Sequence, residues 1–196
     1  MEKTIFLFRR KDGLSRSEFG KHYIEVHAPL GARLTRCLLG YSVNLVESDG
    51  GPDAVTEHWV ASAMDLVTPS RAYATTEDFQ RVFTDDRSFI GEFELYVVVE
   101  ETHVVPAAPL GRVTPEAKAV WMYGDANLVP SPPDSARRVV DNRVSHKLVY
   151  NNESWETVAT DIAVVRMAWA ADLDKFGAGP SDALIVSEYR YIAAPA

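Results

Sequence analysis

Cysteine is almost missing from this sequence: Cys37 stands alone among 196 residues. No internal disulfide can form, and every multi-cysteine metal knuckle is excluded. Positive charge is short as well. Twenty basic residues against twenty-eight acidic ones leave a formal net charge of −8, so nothing electrostatic favours a phosphate backbone or an anionic membrane surface. No apolar run approaches the roughly 18 residues that a membrane helix needs. The stretch from Met1 to Gly13 runs straight into a strand pattern, with no separate basic, apolar and cleavage regions. The glycine-rich dinucleotide fingerprint, the Walker loop, the nucleophile elbow and the paired-histidine zincin motif are also missing. Nucleotide cofactors, serine hydrolysis and zincin chemistry thereby lose their usual sequence support, and neither cofactor nor metal is expected. What is present is ordinary globular composition, 46 % hydrophobic and 24 % charged. The expectation is a soluble, cytoplasmic protein that binds neither nucleic acid nor membrane.

The chain then reads as a succession of elements. Ile5-Phe6-Leu7-Phe8, ending in charge and the turn Lys11-Asp12-Gly13, predicts a strand over Lys3 to Arg10 that is buried on both faces. Ser15 and Glu18 form a capping box, and Phe19, Tyr23, Val26 and Leu30 then recur on one helical stripe. Strands are predicted over Leu38 to Glu47 and Val55 to Ala61, helical pieces between Asp65 and Phe83, and a strand over Phe93 to Val105. That last strand is long enough that its far end should pair outside its own sheet. The order is β-α-β-β-α-β, the ferredoxin-like unit.

After a proline-rich linker at 106–116, residues 117–196 repeat the order more faintly. Strands are expected at Ala119 to Gly124, Val144 to Asn151, Ile162 to Ala170 and Leu184 to Ile192. Helices are expected at Asp134 to Asn142 and Ala171 to Phe176. Each unit would leave one sheet face bare, and a patch of that size drives association. The predicted fold is therefore α+β: two ferredoxin-like βαββαβ units, 1–105 and 117–196, packed through their bare sheets as a pseudo-dimeric α+β barrel.

Candidate chemistry sits on the first helix. Pro29 lacks an amide proton and crowds the carbonyl of Glu25, so the helix should loosen near His27. A neutral imidazole at the edge of an apolar stripe, beside a helix break, suits a general base. The alternative is a histidine that only bonds a carbonyl freed by Pro29. At 100° per residue His22 and His27 flank the stripe on opposite edges and do not converge, and their spacing does not suit a metal pair. In the third strand, period two puts Glu57 and Trp59 on one face and His58 and Val60 on the other, so one of Glu57 and His58 lies under the helix. Asp85-Asp86 reads as turn or cap chemistry, His103 and His146 as structural, and Cys37 as a poor nucleophile.

The run Lys-Asp-Gly-Leu-Ser-Arg-Ser-Glu-Phe, followed by His-Tyr-Ile-Glu-Val-His-Ala-Pro-Leu, closely resembles the EthD family over Arg10 to Leu30. The resemblance continues more loosely through Val55 to Trp59 and Asp85 to Ile90. It implies a dimeric α+β barrel, with His27 matching the family's signature histidine, Tyr23 its helix aromatic and Trp59 the aromatic of the third strand. The second half has no counterpart of His27, which implies one pocket per chain. EthD-like and related barrels include dehydratases, decarboxylases and cyclases of aromatic polyketides, cofactor-independent monooxygenases and accessory proteins of degradation operons.

The leading expectation is a cofactor-free lyase or cyclase acting on a hydrophobic, aromatic or polyketide-like molecule. His27 would be the general acid/base, with Tyr23 and His58 as further catalytic candidates. Trp59, His22 and Phe89 would contact substrate. A cofactor-independent monooxygenase and a non-catalytic ligand-binding protein are the alternatives, and a second copy of the chain is the candidate protein partner.

Overall fold

The N-terminal run becomes β1 (Glu2–Arg10), and both its faces are buried because each meets a different layer. Ile5 and Leu7 enter one apolar cluster, while Phe8, with Phe6 beside it, joins another under the helices. The computed structural model describes residues 1–48, 50–104, 117–132, 136, 138–170 and 183–192. Ser15 caps α1 (Arg16–His22) through a complete capping box. The helix passes through a π-turn (Tyr23–His27) and continues as α2 (Ala28–Leu34). A cap contributes about 1 kcal/mol, whereas burying a side chain as fully as Phe19 contributes roughly 1.5–3 kcal/mol. Packing, more than capping, holds this helix to the sheet.

The first half continues with β2 (Leu38–Val46), β3 (Ala54–Val60), the short helices α3 (Ala63–Val67) and α4 (Pro69–Ala72), α5 (Thr76–Phe89) and β4 (Ile90–Val104). The second half consists of β5 (Ala117–Tyr123), a 3₁₀ turn (Ala126–Leu128), β6 (Arg138–Tyr150), β7 (Trp155–Val158), β8 (Val164–Ala170) and β9 (Leu184–Ile192). All pairings are antiparallel, in the order β4-β1-β3-β2-β9-β5-β8-β6-β7, with β4 also pairing with β6. The last pairing closes eight strands into a barrel and leaves β7 as a short flap on β6.

The far end of β4 does leave its own sheet, running beside β6 from Leu95↔Leu148 to Val104↔Val139. The two halves thus join edge to edge, through β2–β9 and β4–β6. Closure gives the exposed strand edges partners, and the bare sheet faces become the barrel interior. Ile5, Val55, Val98, Val140, Val165 and Met167 fill much of it.

The second half keeps the strand order of the first: β9-β5-β8-β6 beside β4-β1-β3-β2. It does not keep the helices. Among the described residues it contains only the 3₁₀ turn. The helix expected at Asp134 to Asn142 is instead strand from Arg138 onward. Val139 and Val140 prefer the pleated surface, where they bury on opposite faces. The expected linker at 106–116 and the helix stub at Ala171 to Phe176 lie outside the described residues. No helix among the described residues is long and apolar enough to cross a membrane.

Candidate active site

The π-turn decides where the histidines of the first helix point. The Ala28 amide bonds Tyr23 O, five residues back, and so leaves Ile24 O without its usual helical donor. Pro29 has no amide to offer that carbonyl. Tyr191 on β9 supplies the missing donor, its hydroxyl bonding Ile24 O at 2.7 Å. The freed carbonyl is therefore capped by tyrosine and not by His27.

Widening the turn to i→i+5 bonds also brings residues five apart onto one face. His22 and His27 consequently converge, contrary to the expectation from an ideal α-helix. His22 Nε2 lies 2.9 Å from Asp85 Oδ1, and His27 Nδ1 lies 2.9 Å from Asp85 Oδ2. On the other side of the ring, His27 Nε2 is 3.4 Å from Asp86 Oδ1. Asp85 and Asp86 are not turn residues: they occupy the last turn of α5, facing the first helix. Their carboxylates differ in environment. Burial opposes ionisation of Asp85, but bonds from His27 and His22 outweigh it and hold the carboxyl below its ordinary range. Burial raises Asp86 above that range, and the neighbouring Asp85 charge adds to the effect.

Phe89, buried, forms the apolar floor. His22, His27 and Tyr23 lie 4.7, 5.0 and 5.4 Å from its ring centroid. Tyr23 reaches the sheet below, where its hydroxyl is 2.8 Å from Thr56 Oγ1 and bonds with Tyr41. Burial raises both phenols, so both stay un-ionised at any ordinary pH.

His58, rather than Glu57, faces the helices. Its ring stacks on Tyr41 at 4.8 Å and meets Phe6 edge-on at 5.3 Å. Nδ1 is buried without a hydrogen-bond partner. Desolvation, helped by the nearby His27, pushes the pKa down to about 3, so the ring is neutral.

The structure thus brings His22, Tyr23, His27, His58 and Phe89 into one layer between helices and sheet. Trp59 is not with them. It sits on the opposite face of β3, with Lys3 Nζ 4.5 Å above its ring inside the barrel. Strand alternation requires this once His58 points outward. Elsewhere, His103 pairs with Asp141 at 2.8 Å, and burial pushes the Cys37 thiol up to about 11, away from nucleophile chemistry. A groove of about 620 Å³ runs along the other flank of the first helix and is lined by Phe19, Gly20, Ile24, Leu45 and Tyr189. Sequence reasoning missed the two aspartates. Their signal was two adjacent carboxylates one turn before a buried phenylalanine, at the end of a helix that was expected to stop at Phe83.

No protein-family model matches the chain, and no curated protein does. Among solved structures the chain is similar to an anthrone oxidase-like protein. The TM-score is 0.57 and the identity 13 %, over 100 % of this chain and 96 % of that one. A candidate monooxygenase from Lactobacillus acidophilus NCFM gives 0.47 and 10 %, over 98 % and 95 %. The first of these likenesses shows the fold, an α+β barrel of eight antiparallel strands. The EthD resemblance remains one of the segment Arg10 to Leu30.

Proposed function

We propose that the protein is a small-molecule enzyme that moves a proton on a hydrophobic aromatic substrate, with His27 as the general acid/base. One observation carries the reading: the His27 ring is buried between two carboxylates, Asp85 at 2.9 Å and Asp86 at 3.4 Å. Asp85 accepts from Nδ1–H, fixes the tautomer and stabilises the imidazolium that forms. The Nε2 contact is long enough for a substrate to displace. Asp86, a third exposed at the rim, can take up or return the proton. Abstraction next to a carbonyl gives an enolate. Loss of a β-hydroxyl, protonated by the imidazolium, then completes a dehydration that releases water. Phe89 supports the ring, His22 holds Asp85 from its other oxygen, and Tyr23 fixes the helix on Thr56. His58 is the uncharged polar group of the same layer.

We read the chain further as a complete ferredoxin-like unit joined to a helix-poor one, with this site in the first alone; the repeated strand order supports it. The test is turnover of aromatic polyketide-type ketones by the protein and its His27→Ala variant. Activity of the variant within a few-fold of the parent removes His27 from the chemistry. Oxygen consumed in step with product would redirect the reading to a cofactor-independent monooxygenase, in which the carbanion meets O₂.

A second reading, ligand binding without catalysis, is supported by the position of the 620 Å³ groove across the helix from His27. A Cβ at Gly20 would lie 3.2 Å from Leu45 Cδ1, so a larger side chain there must project into the groove. If Gly20→Leu abolishes binding of an aromatic probe while His27→Ala leaves it intact and no turnover is found, the second reading stands.

A further inference from the structure

Inside the barrel lies a second ionic cluster that the proposed chemistry does not use. Lys3, Glu57, Lys118 and Glu188 are at most 4 % exposed, and Glu100, Arg138 and Arg190 join them nearer solvent. Every oxygen of the two deeply buried carboxylates is answered. Glu57 Oε1 accepts from Lys118 at 2.8 Å and Asn44 at 3.1 Å, and Oε2 meets Lys3 at 2.7 Å. Glu188 Oε1 accepts from Lys118 at 2.9 Å and Ser42 at 3.2 Å. Its Oε2 accepts from Trp169 and Arg190, both at 3.1 Å.

The cations are not answered in the same way. Within this cluster, Lys3, Lys118, Arg138 and Arg190 stand against Glu57, Glu100 and Glu188, four charges to three. The surplus falls on Arg138. Its nearest carboxylate oxygen, on Glu100, is 3.9 Å away, its guanidinium lies 4.7 Å over the Trp169 ring, and its Nε is buried with no acceptor. A buried donor left without a partner and a charge left without a counter-charge are both costly, and each points to an occupant. The space exists. A cavity of about 20 Å³ is lined by Lys3, Ser42, Trp59, Arg138, Trp169 and Arg190, with Glu57, Glu188 and Ile192 completing it. That is room for one water or one small ion.

We propose that this cavity binds a single compact monovalent anion, either a halide or the carboxylate end of a small molecule, with Arg138 as its principal donor and Arg190 beside it. The saturated carboxylates do not compete for Arg138, and the tryptophans keep bulk water from screening the charge. The site is separate from the histidine layer, because Trp59 and His58 lie on opposite faces of β3.

The test uses the full chain. In crystals grown with sodium bromide, an anomalous peak is expected within hydrogen-bond reach of Arg138 Nε. In solution at constant ionic strength, replacing gluconate by bromide or formate should raise Tm along a saturating curve, as mass action requires. Arg138→Gln should weaken the apparent affinity at least about tenfold, the effect of losing one charge-assisted hydrogen bond. Arg143→Gln, altered at an exposed ion pair with Glu101 on the outer face, should leave the curve unchanged. A response to formate but not bromide assigns the carboxylate source; the reverse assigns the halide. A single water in the bromide map together with no saturating response to formate overturns the proposal, as does an equal loss in Arg143→Gln. If Arg138→Gln does not fold, the bromide map and the formate Tm curve of the unaltered protein decide together.

Discussion

Two buried polar networks share β3, one on each face, and they are built to different standards. Inside the barrel, both deep carboxylates are saturated, and burial is outweighed by Lys118 and Lys3, which hold the Glu57 carboxyl well below its ordinary range. Under the helices, Asp86 is raised instead of lowered, His27 meets it at 3.4 Å, and His58 Nδ1 has no partner among the described residues. Carboxylates whose oxygens are all answered fix structure, because neither can take up a proton without leaving a cation bare. A network with slack can pass a proton, since its alternative protonation states lie closer in energy. Slack, more than the presence of histidine, is what the proposed chemistry in the helix-side layer draws on.

The comparison breaks most readily at Lys118. Replacing it by Met leaves Glu57 and Glu188 facing each other without their shared cation, and loss of about 3–5 kcal/mol is expected. Chemical denaturation of Lys118→Met measures this directly. A loss under 1 kcal/mol would mean that the interior is not the rigid partner in the contrast. On the other face, His27→Gln should do the opposite, with stability nearly kept and turnover falling by roughly 10²–10⁴-fold. Equal damage to both quantities would make His27 one more structural residue.

How much of this could be read beforehand depends on whether the controlling interaction is local. The capping box and the strand limits are local patterns and hold closely in the first half, but the apolar stripe fails at Val26, which is exposed because the π-turn brings His27 and Ala28 inward instead. The alternation of Glu57 and Trp59 against His58 was also readable, but which face met the helix was not. That choice depends on β1 and β2 placing Phe6 and Tyr41 beside His58. The convergence of His22 and His27 was hidden because a wheel of 100° per residue assumes a regular helix, and the π-turn adds a residue to one turn. Lys118 was passed over although it alternates with Val120 in a strand; its counter-charges come from β3 and β9, 61 and 70 residues away. Arg138 looked helical in the segment before Val139. Only closure of the barrel shows why β6 must begin there as strand.

Acid sharpens the contrast at Asp85. Its folded-state pKa is lowered, so its stabilising contribution is present above the unfolded value of about 3.9 and is lost as pH falls through the folded value. Asp85→Asn should therefore flatten the acid limb of the stability profile below about pH 4. At neutral pH it should also slow turnover by releasing His22 and His27 from their common partner. Acid profiles that superimpose for the two proteins would show that the His–Asp contacts contribute nothing to folding.

The smallest expected effect tests whether the two halves cooperate at the site. Tyr191 belongs to β9 in the helix-poor half, yet its hydroxyl caps a carbonyl that the π-turn and Pro29 leave without a helical donor, Ile24 O at 2.7 Å. Tyr191→Phe keeps the ring that packs 5.5 Å from Tyr41 and removes only the hydroxyl. The cost should be about 1 kcal/mol, that of one hydrogen bond to a partly buried carbonyl. If the cap helps hold the π-turn, losing it lets His22 and His27 drift apart, and the ring resonances of His22 Nε2 and His27 Nδ1 should change together. Tyr191→Phe with altered stability and unaltered histidine resonances would mean that the turn is set by Pro29 and the apolar stripe alone. The second half would then serve as the wall of the barrel and not as a support for the histidines.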